Sequence, residues 1–364
     1  MISAKAVAVN ELGQPFEEVV IERRDIGPRD VLIEIAYCGI CHSDVSYVRN
    51  EWHKTIYPIV PGHEIAGIVA AVGSEVTKFT AGDRAGVGCL VDTCGTCANC
   101  AAGEEQHCSG QRVSTYSSTD RDGSITLGGY SDRIVVDEDF VVRIPDGVEL
   151  ANAAPLLCAG VTVYSPLRHW GVSEGTRVAV IGLGGLGHIA VKIACALGAT
   201  VTVLDLSESK RDSAIQLGAS DFKLSTERET FVTLDQTFDV IINTVPANLD
   251  LDAYMRLLRL HGTFVMIGVP ERDLSLNPFS LIVNERVLAG SRIGSLTATQ
   301  EMMNFCADHG IGAEIEIVTA SQLAEAYDRM VRGDVRFRFV LDVASIGQAN
   351  VTSTVAIEPR EDVS

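Results

Sequence analysis

Arg177-Val-Ala-Val-Ile181 is a short β-branched run, and Gly182-Leu183-Gly184-Gly185-Leu186-Gly187 follows it directly. Residues 188–197 then carry apolar side chains at helical spacing. Strand, glycine turn and helix in that order fit G-x-G-x-x-G in the context that lifts this weak motif above chance. Gly182 permits the tight turn, Gly184 the close approach of a pyrophosphate, and Gly187 the packing of helix on strand. The amides of the turn and of the helix N-terminus then face the phosphates. Asp205 ends the next apolar run, 23 residues after Gly182. A carboxylate there can hold the two hydroxyls of an adenosine ribose and would repel a 2′-phosphate, so NAD is expected in preference to NADP. Lys210 and Arg211 lie close enough to soften that exclusion. On this reading Asp205→Ser raises NADP use.

Working outward, the rhythm continues with strands at 201–204, 238–243 and 262–267 and helices at 208–217 and 250–260. Alternation of this kind implies a doubly wound parallel sheet covered by helices on both faces, an α/β fold. Later come helical stretches at 297–308 and 321–332 and a strand at 337–342. Between Lys5 and Asp146 the chain reads instead as short strands broken by Gly, Pro and Asp, for example 31–37 and 65–72. Residues from 345 to 364 are polar with scattered apolar positions and are expected to form a disordered tail.

The 364 residues suffice for two domains. A net charge of −19 without a basic block argues against nucleic-acid or anionic-membrane partners. No apolar run is long enough to span a membrane, and residues 1–20 do not form a signal peptide, so a cytoplasmic protein is expected.

Cys94, Cys97, Cys100 and Cys108 form one run, C-x2-C-x2-C-x7-C. Four thiols so spaced fit a closed tetrathiolate zinc site that holds a loop and leaves no position for substrate. The alternative, a pair of disulfides, lacks any other sign of an oxidising compartment. Cys41, His63 with Glu64, and Cys158 stand apart from this run. Taken singly each has a bland reading: a buried core cysteine, or a histidine satisfied in a turn. Spacing alone leaves a second metal site open.

Cys38-Gly-Ile-Cys-His-Ser-Asp44, Pro61-Gly-His-Glu64, the four spaced cysteines, Pro155-Leu-Leu-Cys-Ala-Gly-Val-Thr162 and the glycine turn occur in this order. With them the chain resembles the zinc-dependent medium-chain alcohol dehydrogenases. Leu127-Gly-Gly-Tyr-Ser131 and Gly333-Asp-Val-Arg-Phe-Arg-Phe339 are similar to the cinnamyl-alcohol-dehydrogenase and bacterial aldehyde-reductase branch. The resemblance spans roughly residues 4–343. It implies a β-rich GroES-like catalytic domain at 1–158, completed by 294–344, and a Rossmann coenzyme domain at 159–293.

The resemblance further implies that Cys41, His63 and Cys158 bind a catalytic zinc, with Glu64 nearby as an exchangeable ligand and Asp44 orienting His63. Ser43 would take the alcohol proton, and His42 would meet the cofactor pyrophosphate. Thr162, Thr244, Gly268, Ser291 and Ile293 would line the rest of the cofactor cleft. The implied reaction is reversible hydride transfer between NAD(P) and a primary aromatic, allylic or aliphatic alcohol, in a homodimer or homotetramer. A reductase of conjugated imines or enals, or a catalytically silent nucleotide-sensing homologue, are the alternatives. Three positions depart from the family's pattern. Ser46 stands where many relatives have a histidine that ends the proton relay. Asp205 replaces a small hydroxyl residue. Val113 replaces an aromatic, so the pocket, with Trp52 and Leu90 as apolar walls, is expected to be wide.

Overall fold

A computed structural model describes residues 1–270 and 272–347, together with the backbone of Ser353–Thr354. The chain divides into two compact units, Met1–Cys158 with Ser295–Ser364, and Ala159–Gly294.

The second unit is built on six parallel strands. Their spatial order is Asp221–Leu224, Thr200–Asp205, Arg177–Ile181, Phe238–Asn243, Leu258–Met266 and Val287–Gly290. Numbered along the chain this is 3-2-1-4-5-6, the doubly wound order, with its switch point between Arg177–Ile181 and Phe238–Asn243. Ala179, Leu204, Ile241 and Phe264 are fully buried, as expected for strands covered on both faces. The expected helix at 250–260 stops at Arg256. Leu258 instead begins a strand, pairs with Phe238 and is buried. The outer strands Asp221–Leu224 and Val287–Gly290 are too short to stand out in the sequence.

The first unit is organised by the long strand Asp30–Ile40, which pairs antiparallel with Ile65–Val72, Arg133–Asp137 and Arg338–Asp342. Ile2–Ala8 and Glu17–Arg23 form a separate antiparallel pair, to which Ser353–Thr354 adds in parallel. A small ribbon, Leu90–Thr93 with Arg112–Ser114, frames the loop that carries the four spaced cysteines. Of the expected disordered tail, Ser345 and Ile346 are buried against this unit. Apart from Gly347 and the short strand Ser353–Thr354, the rest lies outside the described residues.

Candidate active site and metal centres

Register brings the second constellation together. Cys38 lies opposite both Ile65 and Leu341, and Ile40 lies opposite Phe339. The residue after Ile40, the two before Ile65 and the first of Arg338–Asp342 therefore meet at one place. These are Cys41, His63 with Glu64, and Arg338. Cys158 arrives from the turn that follows Ala154–Leu157. Cys41, His63, Glu64 and Cys158 each present a ligand atom within 4.8 Å of the others. Gly39 makes this approach possible, since a Cβ there would lie 1.9 Å from Glu64 Oε2.

Asp44 holds the cluster from behind. Its fully buried carboxylate accepts from Cys41 N at 2.8 Å and Gly62 N at 3.2 Å, and lies 3.1 Å from His63 Nδ1. The first of these bonds also caps the helix His42–Val48. Burial alone would lower the His63 pKa, but Asp44, with Cys89 and Cys41, raises it well above its ordinary value. The Cys41 thiol is held well below its usual range, chiefly by a hydrogen bond with Cys158, and Cys158 is pushed up in turn. Glu64 is gripped by Arg338 Nη2, at 2.5 and 2.6 Å to its two oxygens. Burial pushes the Glu64 carboxyl up, and the guanidinium opposes that push. Two thiols and an imidazole with one carboxylate alongside suit zinc, which takes three such ligands and keeps one position open in catalytic sites.

Three residues of this site were not picked out from the sequence. Arg338 lies inside the Gly333–Phe339 motif, where an arginine in an apolar strand is a signal for a buried partner. Cys89 shares a hydrogen bond with Cys158. The buried Tyr116 ring packs 5.7 Å from the His63 ring. Tyr116 stacks edgewise on Tyr47 at 5.0 Å, and Tyr47 on Trp52 at 5.1 Å. Trp52 is half exposed, whereas Leu90 and Val113 are buried. Ser43 and His42 occupy the first turn of His42–Val48, and Ser46, one turn on, donates to Glu51 Oε2 at 2.7 Å.

The second cluster is Cys94, Cys97, Cys100 and Cys108, again within 4.8 Å of one another. Sulfur separations of 3.4 Å (Cys94–Cys108), 3.5 Å (Cys97–Cys100) and 4.0 Å (Cys94–Cys100) match the edge of about 3.8 Å of a tetrahedral tetrathiolate zinc site. All ten cysteines are free. Backbone N–H groups, Cys100 first, draw the Cys97 thiol down to about 5. That stabilises the thiolate which zinc requires.

In the second unit Gly182, Asp205, Thr244, Gly268 and Ser291 all stand at or just beyond the C-terminal ends of parallel strands, the edge where such sheets bind ligands. Gly182 has φ +86°, and a Cβ at Gly187 would lie 1.8 Å from Gly182 O. Thr244 Oγ1 closes the turn by donating to Ile181 O at 2.7 Å. A Cβ at Gly184 would meet nothing within 4 Å, which leaves open space over the turn for a pyrophosphate. Thr162 is buried in the helix Ala159–His169, and Ile293 has a positive φ of 41°.

Asp205 does not stand free for a ribose. Its side chain is only 5% exposed and accepts from Leu183 N at 2.7 Å, Ser207 N at 3.1 Å and Lys210 Nζ at 3.1 Å. The like charge expected to repel a 2′-phosphate is thus already paired with an ammonium.

No single helix among the described residues is long and apolar enough to cross a membrane. Residues 27–146 match the family described as alcohol dehydrogenase GroES-like domain, and residues 185–308 match that described as zinc-binding dehydrogenase. NADP-dependent alcohol dehydrogenase C 1 of Mycolicibacterium smegmatis is 53% identical over 347 residues, covering 95% of this chain and 99% of that protein. The structure of a cinnamyl alcohol dehydrogenase from Sorghum bicolor superposes with a TM-score of 0.91 at 41% identity, covering 97% of this chain and 100% of that one. The Helicobacter pylori cinnamyl alcohol dehydrogenase, solved with NADP(H), gives 0.88 at 40% identity, covering 94% and 99%. The expected preference for NAD is overturned by these similarities to NADP proteins. The physical reason lies at Asp205, whose charge is neutralised by Lys210 and whose oxygens are already engaged.

Proposed function

The chain belongs to the zinc-dependent medium-chain alcohol dehydrogenases, in the branch of cinnamyl alcohol dehydrogenases and aldehyde reductases, and from that premise we propose an NADP-dependent enzyme that interconverts primary alcohols and aldehydes. The observation that carries this reading is the Cys41, His63, Glu64 and Cys158 cluster, backed by Asp44. Cys41, His63 and Cys158 would hold the catalytic zinc, and the four spaced cysteines a structural one. When bound, zinc supplies Lewis acidity towards the alcohol or carbonyl oxygen, and the nicotinamide gives or takes the hydride. Asp44 fixes the ring of His63 through Nδ1 and leaves Nε2 as the ligand nitrogen. Arg338 holds Glu64 back, so that the carboxylate stands beside the three ligands. Ser43 takes the alcohol proton during oxidation. Ser46 and Glu51 offer a route for it to the surface. The intact ligand set counts against a silent homologue.

The substrate is an aromatic, allylic or straight-chain primary alcohol, since an apolar pocket discriminates among such shapes by only about 1–3 kcal/mol per methylene. Ten free cysteines support a reducing, cytoplasmic setting. Exposed Phe279 and Ile282, in the same unit as the edge strand Val287–Gly290, support a homodimer or homotetramer. Metal analysis and a panel of aromatic, allylic and aliphatic aldehydes, each with NADPH and with NADH, test the reading. Two zinc ions per chain and NADPH-dependent reduction are expected. One zinc, or no turnover of any aldehyde, would refute it.

A further inference from the structure

Glu17–Arg23 is paired along the whole of one edge and only part of the other. On the first edge Ile2–Ala8 runs its full length, from Ala8 opposite Glu17 to Ile2 opposite Arg23. On the second, Ser353 lies opposite Val19 and Thr354 opposite Val20, in parallel, and no other strand follows among the described residues. The backbone of Ile21, Glu22 and Arg23 thus presents an open edge, a ready template for an added strand. The strand itself is firmly placed. The buried Arg23 guanidinium donates to Leu127 O at 2.6 Å, Gly128 O at 2.9 Å and Arg133 O at 3.0 Å.

That edge borders a cavity of about 1120 Å³ that lies wholly within the first unit. Ile21, Leu127, Ile134 and Phe140 give it an apolar lining, and Thr93 and Cys100 bring the cysteine loop to its wall.

The chain arrives at this edge and continues along it. Gly347 N donates to Glu18 Oε2 at 3.1 Å, near the start of Glu17–Arg23, and Ser353–Thr354 then follows the strand in parallel. The sequence goes on Val355-Ala-Ile-Glu-Pro359. Continuing the register one residue at a time sets Val355 opposite Ile21, Ala356 opposite Glu22 and Ile357 opposite Arg23. Residues opposite one another in a sheet share a face. Ile21 and Arg23 are buried, whereas Glu22 between them is exposed. The two large apolar residues of the segment fall at the buried positions and the alanine at the exposed one. A slip of one residue would reverse this. Pro359, which has no N–H to give a ladder, marks where such a strand would stop.

We propose that residues 355–357 of the same chain add to the open edge as a continuation of Ser353–Thr354. Val355 and Ile357 then enter the cavity, and the C-terminal segment closes the space between Glu17–Arg23 and the cysteine loop. The tether favours this occupant, since Thr354 already stands at the register before Ile21 and holds the segment at high effective concentration.

Hydrogen–deuterium exchange of the full-length, zinc-loaded protein reads the edge directly. In wild type the amides of residues 21–24 that do not donate to Ile2–Ala8 should be protected. Ending the chain after Thr354 should quicken their exchange by at least about tenfold, the least expected from exposing one buried valine or isoleucine. Val355→Asp and Ile357→Asp should reproduce that gain, and Ala356→Asp, at the outward position, should not. Unchanged exchange in the truncated chain overturns the inference. So does an equal effect of all three aspartates, which would mean that no face of the segment is buried. Wild-type protection that falls on dilution of the protein overturns it too, because the added strand would then come from a second copy. Should the truncated chain fail to fold, Ile357→Asp against Ala356→Asp still decides: equal exchange in the two overturns the inference.

Discussion

Arg338 meets both carboxylate oxygens of Glu64 with a single Nη2, at 2.5 and 2.6 Å, and the same nitrogen donates to Ile40 O at 3.0 Å. Both side chains are buried, at 5% and 0% exposure. The pair therefore stands or falls together, and removing either partner strands a charge beside the thiols of Cys41 and Cys158.

Arg338→Met should destabilise the fold by about 3–5 kcal/mol, the usual cost of breaking a buried ion pair. Without the guanidinium, burial, with Cys41 and Asp44 acting in the same direction, pushes the Glu64 pKa up, opposed by His63. A group whose folded pKa is raised is better accommodated below its unfolded pKa, and the penalty grows as pH rises. Urea denaturation should therefore show a larger gap from wild type at pH 8 than at pH 5. Glu64→Gln in the same background should recover part of the loss. A gap that stays constant between pH 5 and pH 8 would show that Glu64 stays ionised in the variant.

Asp44→Asn removes the charge that supports His63 while leaving most of the volume. Affinity for the ion at Cys41, His63 and Cys158 should fall by about 10–100-fold, as for other residues behind metal ligands. The tetrathiolate ion should be untouched. Chelator competition read by metal analysis separates the two: one ion leaves early and one remains. Cys41→Ala should likewise keep a folded chain with one zinc and no turnover.

Loss of Cys100 acts on the other ion. Cys100→Ala should lower thermal stability and solubility, because binding free energy at a structural zinc site is folding free energy. The Cys97 thiol lies near 5, below its unfolded range. The stabilisation it lends is complete only above the ordinary thiol value of about 8.5 and is lost progressively as pH falls from there through about 5. Zinc release followed by a chromogenic chelator should therefore rise over that interval.

Most of this architecture was legible because its signals are local. The run from Arg177 to Gly187 contains its own strand, turn and helix start, and the four cysteines lie within one loop. What escaped depends on pairing across the chain. Arg338 reaches Glu64 only because Phe339 lies opposite Ile40 and Ile65 opposite Cys38, a register that no window of sequence displays. Asp205 was placed correctly at a strand end, yet its meaning changed with the partners that fold around it. A carboxylate reads as free charge in sequence and as a paired one once Leu183, Ser207 and Lys210 are seen to donate to it.

Three of the four glycines of the turn should respond differently to alanine. At Gly187 the new Cβ would lie 1.8 Å from a backbone oxygen, and at Gly182 2.2 Å from Val245 Cγ1 with φ +86°. Both variants should lose about 1–3 kcal/mol of stability or more. Gly184→Ala meets nothing in the protein and should fold normally while losing dinucleotide affinity. Thermal melts paired with NADPH titration check the contrast. A Gly184→Ala protein with wild-type affinity would remove that residue from the phosphate site.

The proton route proposed above ends in a place the sequence left open. Ser46 occupies the position at which many relatives carry a histidine, and its hydroxyl donates to Glu51, an exposed carboxylate, at 2.7 Å. A serine alone is poorly suited to handing a proton to solvent, whereas a carboxylate that accepts its hydrogen bond gives the proton a place to go. Ser43→Ala should lower the rate of alcohol oxidation sharply with both zinc ions retained. Glu51→Gln should lower it less, by up to about the 10²-fold at the lower end of general acid–base effects, and most strongly at low pH, where hydroxide cannot substitute. Ser46→His would add a group near ~6.5 and should restore the rate of Glu51→Gln around neutrality. Pre-steady-state oxidation with a deuterated alcohol isolates the chemical step from cofactor release. If Glu51→Gln matches wild type across the pH range in that measurement, the proton leaves through water and Glu51 serves only to cap Ser46.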